Sequence, residues 1–261
     1  MESTHRPLDP GAIKLHRRGK GQPLTLLHCL GMSWRFWDVL EPLTDAFELI
    51  AYSFPGHHDT PLPDHPYGVP ELSRQLYEIF RREGMTKTHL MGISLGGTVA
   101  QHFAGTHPDM VMKLVLADCT PRYDEEARAN WPKRAEVARR HGVASLIPAL
   151  LPIWFSPQSL AEDGQNVRFV RETLAACGGE GYALACEALA SADVRNQANQ
   201  IKAATLIIYG SEERQAFREA AGWMHENIRD SRLEVIPLAG HASVRERPEH
   251  VIRLLRRFLI P

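Results

Sequence analysis

Four cysteines in 261 residues, an almost cancelled charge and the want of any long apolar run each remove a class of protein. Cys29, Cys119, Cys177 and Cys186 form no C-x-x-C pair and share no zinc-like spacing with histidine, so neither a disulfide scaffold nor a metal site is expected. Lys and Arg total 30 against 31 Asp and Glu. That balance gives no electrostatic reason to expect a nucleic acid or a membrane surface as partner. Val143 to Phe155 is the longest apolar stretch. Pro148 and Pro152 interrupt it, and it is too short to cross a bilayer. Met1 to Gly21 is polar and basic with no apolar segment of the kind a secretory leader carries. Free thiols in a reducing cytosol, and hence a cytoplasmic protein, are expected. No repeat, low-complexity tract or heptad pattern is found, so oligomeric state is left open.

What is present is an alternation. Short apolar runs at Leu24–His28, Phe47–Tyr52, His89–Ile93, Lys113–Ala117, Ala204–Tyr209 and Arg232–Ile236 read as strands. Nearly continuous apolar character suits strands covered on both faces of a mostly parallel sheet. Between them, Leu72, Leu76, Ile79 and Phe80 make one helical stripe, and Val251, Leu254, Leu255, Phe258 and Leu259 make another. The pattern predicts an α/β fold: a mostly parallel central sheet flanked by helices. Residues 121–200 break it, with helical patterns and no convincing strand. They are expected to form an inserted helical lid, or cap, on a core made of residues 1–120 and 201–261.

The sharpest local signal is Gly92-Ile93-Ser94-Leu95-Gly96-Gly97. It sits between the run ending at Met91 and a helix-compatible run from Thr98. Strand, sharp turn and helix with serine at the apex is the context a G-x-S-x-G nucleophile elbow requires. Flanking glycines let neighbouring backbones approach the apex, and the helix start aims free N–H groups and its positive dipole end there. Serine needs an adjacent base, itself oriented by a third group. In chains with such an elbow the partners follow in the order Ser, acid, His. Of 13 histidines, His241 stands on the loop between the last strand and the last helix, so it is the expected base. His28, His57 and His58 read as loop-ordering residues. Two acids compete. Glu213 lies three residues after Gly210, where the fifth run ends. Asp118 ends the fourth run and could reach His241 from the neighbouring strand. The N–H groups of Leu95 and Leu30 are the expected oxyanion donors.

Together these stretches resemble the α/β-hydrolase superfamily, and within it the 3-oxoadipate enol-lactonase-like group. The matching segments are His28-Cys29-Leu30-Gly31 with Trp34 and Trp37, Phe54-Pro55-Gly56-His57, the elbow, Leu114 to Asp118, Ala239-Gly240-His241, and Glu246-Arg247-Pro248-Glu249. The resemblance implies the α/β-hydrolase fold and a Ser-His-acid triad acting through an acyl-enzyme. The implied substrate is a small carboxylic ester or lactone, such as 3-oxoadipate enol-lactone. It implies no metal and no cofactor, only a small-molecule partner. Two departures stand out. Glu213, followed by Arg214-Gln215-Ala216-Phe217, stands where relatives usually carry aspartate with a proline soon after, and some relatives draw the acid from the position matching Asp118. His58 stands where Pro-Gly-His is usually followed by glycine. For a carboxylated substrate Arg35 and Arg122 are candidate cations, or else structural charges. Trp131 and Trp154 are candidate pocket walls, or else lid packing. A C–C hydrolase or an amidase would use the same triad. A noncatalytic ligand sensor or a cofactor-free oxygenase would not require the Ser94/His241 pair.

Overall fold

The computed structural model describes residues 6–260; the outermost residues of the expected core, 1–5 and 261, lie outside them. Its centre is one seven-stranded sheet. The strands are β1 (His16–Arg18), β2 (Gln22–Leu27), β3 (Phe47–Ala51), β4 (Thr88–Ile93), β5 (Val111–Ala117), β6 (Ala204–Gly210) and β7 (Ser231–Ile236). In space they run β1-β3-β2-β4-β5-β6-β7. Only β1 is antiparallel to its neighbour; every other adjacent pair is parallel.

All six expected strands are present, with ends displaced by one or two residues. β4 is buried along its whole length, which is why it reads as an uninterrupted apolar run. β1 left no such mark. It is a three-residue edge strand, His16-Arg17-Arg18, held by backbone pairing to β3 alone. Charged side chains are the usual dressing of an exposed sheet edge.

The chain winds outward from β2 to β3 and returns to β4. The strand order therefore reverses between β2 and β4, and the C-terminal edge there is where open α/β sheets hold their ligands. Helix α1 (Val69–Arg82) packs on α2 (Leu95–Thr106), which follows β4 directly.

Residues 121–200 add no strand to the sheet. They form α3 (Glu125–His141), α4 (Ile147–Trp154), α5 (Pro157–Glu162), α6 (Gln165–Ala176), α7 (Gly179–Ser191) and the short α8 (Arg195–Ala198). Asp124 caps α3 by accepting from the Ala127 amide at 2.7 Å. Glu125 and Glu126 occupy its first turn and Arg139, Arg140 and His141 its last, each complementing the helix dipole. An isolated antiparallel bridge, Arg122 to Asp193, and a Val194 N–H to Pro121 carbonyl bond of 2.9 Å join the two ends of the segment. The helical excursion thus leaves and rejoins the sheet at one point. Two more helices, α9 (Gln215–Asn227) and α11 (Pro248–Leu259), follow β6 and β7, with the one-turn α10 (Ser243–Glu246) ahead of α11. Among the described residues no helix is long and apolar enough to cross a membrane.

Candidate active site

Ser94 lies between β4 and α2 with φ 52 and ψ −117. A positive φ is costly for a residue with a Cβ and persists only where the surroundings enforce it. Here they do. The Ser94 amide donates to the Ala117 carbonyl at the end of β5 (3.0 Å), its carbonyl accepts from the Thr98 amide (3.0 Å), and the Gly96 amide donates to the His28 carbonyl (3.1 Å). A Cβ at Gly92 would stand 2.2 Å from the Gly96 carbonyl oxygen, and one at Gly96 would stand 2.0 Å from that of Leu27. Both obstacles are backbone, so the glycines on either side of the serine are a steric necessity.

His241 follows β7 and is 5% exposed. Its Nδ1 is hydrogen-bonded to Oε2 of Glu213, whose side chain is fully buried. A carboxylate only accepts, so Nδ1 carries the proton and Nε2 is the free, basic nitrogen. The second oxygen of Glu213 accepts from the Arg214 amide at 2.8 Å. Phe217 stacks edge-on against the imidazole at 4.7 Å between ring centres, and Trp154 does so at 6.1 Å.

The sequence left Glu213 and Asp118 as rivals; the structure gives them different neighbours. Asp118, at the end of β5, accepts from the Gly210 amide at 3.0 Å and from the Ser243 hydroxyl. Gly210 opens the turn that carries Glu213, and Ser243 lies two residues beyond His241. Asp118 therefore braces both loops and its oxygens are taken. Burial, and then the nearby Glu213 charge, pushes its carboxyl well above the usual carboxylate range. Glu213 is the carboxylate that meets the imidazole.

Glu246, quoted in the sequence only as part of a motif, holds the histidine loop from below. It accepts from the Gly240 amide at 2.8 Å and from the Ser156 amide at 2.9 Å, and also from the Ser156 hydroxyl. The loop bearing His241 is thereby tied to the helical segment 121–200.

His28 orders the loop after β2. Its Nε2 accepts from the Phe54 amide (2.9 Å), so its Nδ1 is the protonated nitrogen and donates to the Cys29 carbonyl (2.7 Å). Burial first, then the neighbouring His57, drives its pKa well down. No acceptor among the described residues engages the amide of Leu30 or of Leu95. His58 takes φ 46, the left-handed conformation for which glycine is the usual choice, and its Nε2 lies 3.4 Å from the Gly31 carbonyl.

The family model described as the alpha/beta hydrolase family matches residues 26–253. The chain belongs to that family. The 3-oxoadipate enol-lactonase 2 of Acinetobacter baylyi is 28% identical over 240 residues, covering 90% of this chain and 89% of that protein. The pimeloyl-[acyl-carrier protein] methyl ester esterase of Chromobacterium violaceum is 27% identical over 251 residues, covering 92% and 95%. A thermophilic esterase from Thermogutta terrifontis superposes with a TM-score of 0.89 at 25% identity, covering 95% of this chain and 92% of that one.

In this α/β hydrolase a cavity of about 730 Å³ opens between the start of the helical segment, α3 and α9. Arg122 and Trp131 line it; Arg35 and Trp154 do not. Arg35 is 64% exposed and paired with Asp38 at 3.3 Å, a solvated charge of its helical turn. Trp154 is buried against His241, and its carbonyl accepts from the Ala242 amide at 2.8 Å, so it holds the His241 loop. Tyr123, Phe217 and Trp223 complete the aromatic wall. Phe217 and Trp223 were not among the candidates read from the sequence, although Phe217 lies only four residues after Glu213, in the first turn of α9.

Proposed function

We propose that the protein hydrolyses a small carboxylic ester or lactone, with an enol-lactone such as 3-oxoadipate enol-lactone as substrate. The observation that carries this reading is the buried Glu213–His241 pair, on loops that leave the same C-terminal edge of the sheet as the strained Ser94. Both the lactonase and the esterase relatives, at 28% and 27% identity, point to the same bond type.

Nε2 of His241 takes the Ser94 proton as Oγ adds to the substrate carbonyl carbon. The carbonyl π pair moves onto oxygen, and the amides of Leu30 and Leu95 donate to that oxyanion. Glu213 stabilises the imidazolium that forms. Collapse breaks the acyl–oxygen bond, and the imidazolium gives its proton to the departing enolate or alkoxide. In a lactone the leaving oxygen stays attached to the acyl chain. Water, deprotonated by His241, then adds to the acyl-enzyme, and Ser94 leaves with the proton restored. No step calls for a metal or cofactor. Residues 121–200 act as a cap that limits water at the C-terminal edge of the sheet. Four free, buried thiols support work in a reducing, cytoplasmic setting.

The test is hydrolysis of 3-oxoadipate enol-lactone beside a p-nitrophenyl ester, for wild type and Ser94→Ala. Fast serine-dependent opening of the lactone supports the full reading. Ester turnover without lactone turnover overturns the substrate and keeps the triad. Absence of serine-dependent turnover on both, with the fold intact by circular dichroism, overturns the reaction class.

A further inference from the structure

β7 (Ser231–Ile236) ends the sheet and is bonded to β6 alone. The carbonyls of Asp230 and Ile236 accept from the amides of Thr205 and Ser211, each at 2.8 Å. Peptide groups alternate sides along a strand. The even-numbered positions therefore face β6, while Ser231, Leu233 and Val235 turn their N–H and C=O groups outward. Among the described residues no other backbone group bonds the amide of Leu233 or Val235. An open row of donors and acceptors is a template for one more strand.

The side chains of β7 restrict what that strand can be. Glu234 pairs with Arg257 of α11 at 2.9 Å. Arg232, two residues away, projects on the same face. It is exposed and makes no ion pair among the described residues. Ser231, Leu233 and Val235 share the other face, and Val235 is 43% exposed.

A second copy of β7, laid antiparallel, must set outward positions against outward positions. Each allowed register then carries the two-fold axis through one residue. Centred on Arg232, the pairing sets Arg232 opposite Arg232 of the copy. Centred on Glu234, it sets Glu234 opposite Glu234. Like charges directly opposite are destabilising. Centred on Leu233, Arg232 of each chain meets Glu234 of the other, Leu233 meets Leu233, and Val235 meets Ser231. The charged pairs then occupy the non-hydrogen-bonded positions, where facing side chains are closest. The opposite edge of the sheet offers no such match, since β1 is His16-Arg17-Arg18 and would set base against base.

We propose that the protein is a symmetric dimer in solution, with β7 of two chains paired antiparallel about Leu233 so that the two sheets become one. Backbone bonds between the outward positions hold the strands together. The reciprocal Arg232–Glu234 pairs fix the register and select a second copy of this chain as partner.

Sedimentation velocity across a concentration series tests this. Wild type is expected to reach twice the mass of one chain. Arg232→Glu and Glu234→Arg each set like charges opposite one another at both symmetry-related places, so each is expected to weaken the dimer at least about tenfold. Their thermal midpoints are expected to stay near wild type, because both side chains reach solvent. Mixing the two variants is expected to restore a dimer, since each chain supplies the charges that the other now lacks. The double exchange, Arg232→Glu with Glu234→Arg, is expected to restore it within a single chain type. A mass of one chain up to about 100 µM, where a micromolar complex would be mostly formed, overturns the proposal. So does a dimer that survives both single reversals, or a mixture that stays monomeric. Species larger than a dimer would mean that another edge occupies β7, and would overturn it too.

Discussion

Replacing Glu213 by glutamine isolates the carboxylate charge. The substitution keeps the side-chain length and can keep the 2.8 Å acceptor for the Arg214 amide. It removes the anion facing Nδ1 of His241. Two things are lost together: stabilisation of the imidazolium, and the preference for the tautomer that leaves Nε2 basic. Because the Glu213 side chain is fully buried, no solvent screens the interaction and the loss belongs at the upper end. For a triad acid that is about 10⁴-fold in kcat, or about 5.5 kcal/mol of barrier. Glu213→Asp retreats by one C–C bond, about 1.5 Å, and a misplacement of that size costs about 10²-fold. Asp118→Asn is the control. Its amide oxygen can still accept from Gly210 and its NH₂ can face the Ser243 hydroxyl, so kcat should fall by less than about tenfold. Steady-state and burst kinetics with p-nitrophenyl acetate read all three variants. If Glu213→Gln stays within tenfold of wild type while Asp118→Asn collapses by about a thousandfold, the acid acts from β5 and the assignment to Glu213 is wrong.

Gly96→Ala should destabilise the fold by roughly 3 kcal/mol or more, because its Cβ would meet the Leu27 carbonyl at 2.0 Å and backbone must shift to admit it; a calorimetric Tm unchanged from wild type would refute this. Stability should also fall with acid. Burial holds His57 near pKa 4, below its ordinary value of 6.5, so between those pH values the unfolded chain binds a proton that the folded one refuses. The slope is up to about 1.4 kcal/mol per pH unit, and stability is lost as pH drops through that window. Asp118, whose carboxyl is pushed up, works in the opposite sense, its contribution greatest at low pH. Urea midpoints from pH 7 to pH 4 for wild type and His57→Asn separate the two: the variant should show the shallower fall, and parallel curves would overturn the assignment.

The elbow and the histidine were legible because their signals are local. Gly92 and Gly96 are dictated by backbone oxygens 2.2 and 2.0 Å from where a Cβ would go, and that demand is written at fixed spacing around Ser94. The central strands were legible for a similar reason, since burial on both faces removes polar residues from a contiguous run. β1 was not, because a three-residue edge strand bonds through its backbone and leaves its side chains free to be charged.

The choice of acid lay outside the sequence. Glu213 and Asp118 both end up at the C-terminal edge of the sheet, both buried. Glu213 meets His241, while Gly210 and Ser243 occupy Asp118. The same holds for the cations. Arg35 and Arg122 looked alike in sequence, yet one is solvated beside Asp38 and the other lines the cavity. Arg134, on α3, and Arg214, just before α9, also line it, although they lie about eighty residues apart in the chain. Sequence by itself determined the layers, the tight elbow at Ser94 and the loop position of His241, because backbone sterics and burial impose their patterns residue by residue. Tertiary structure alone decided which carboxylate pairs with His241 and which arginines line the cavity, because those depend on distances between segments that no local pattern encodes.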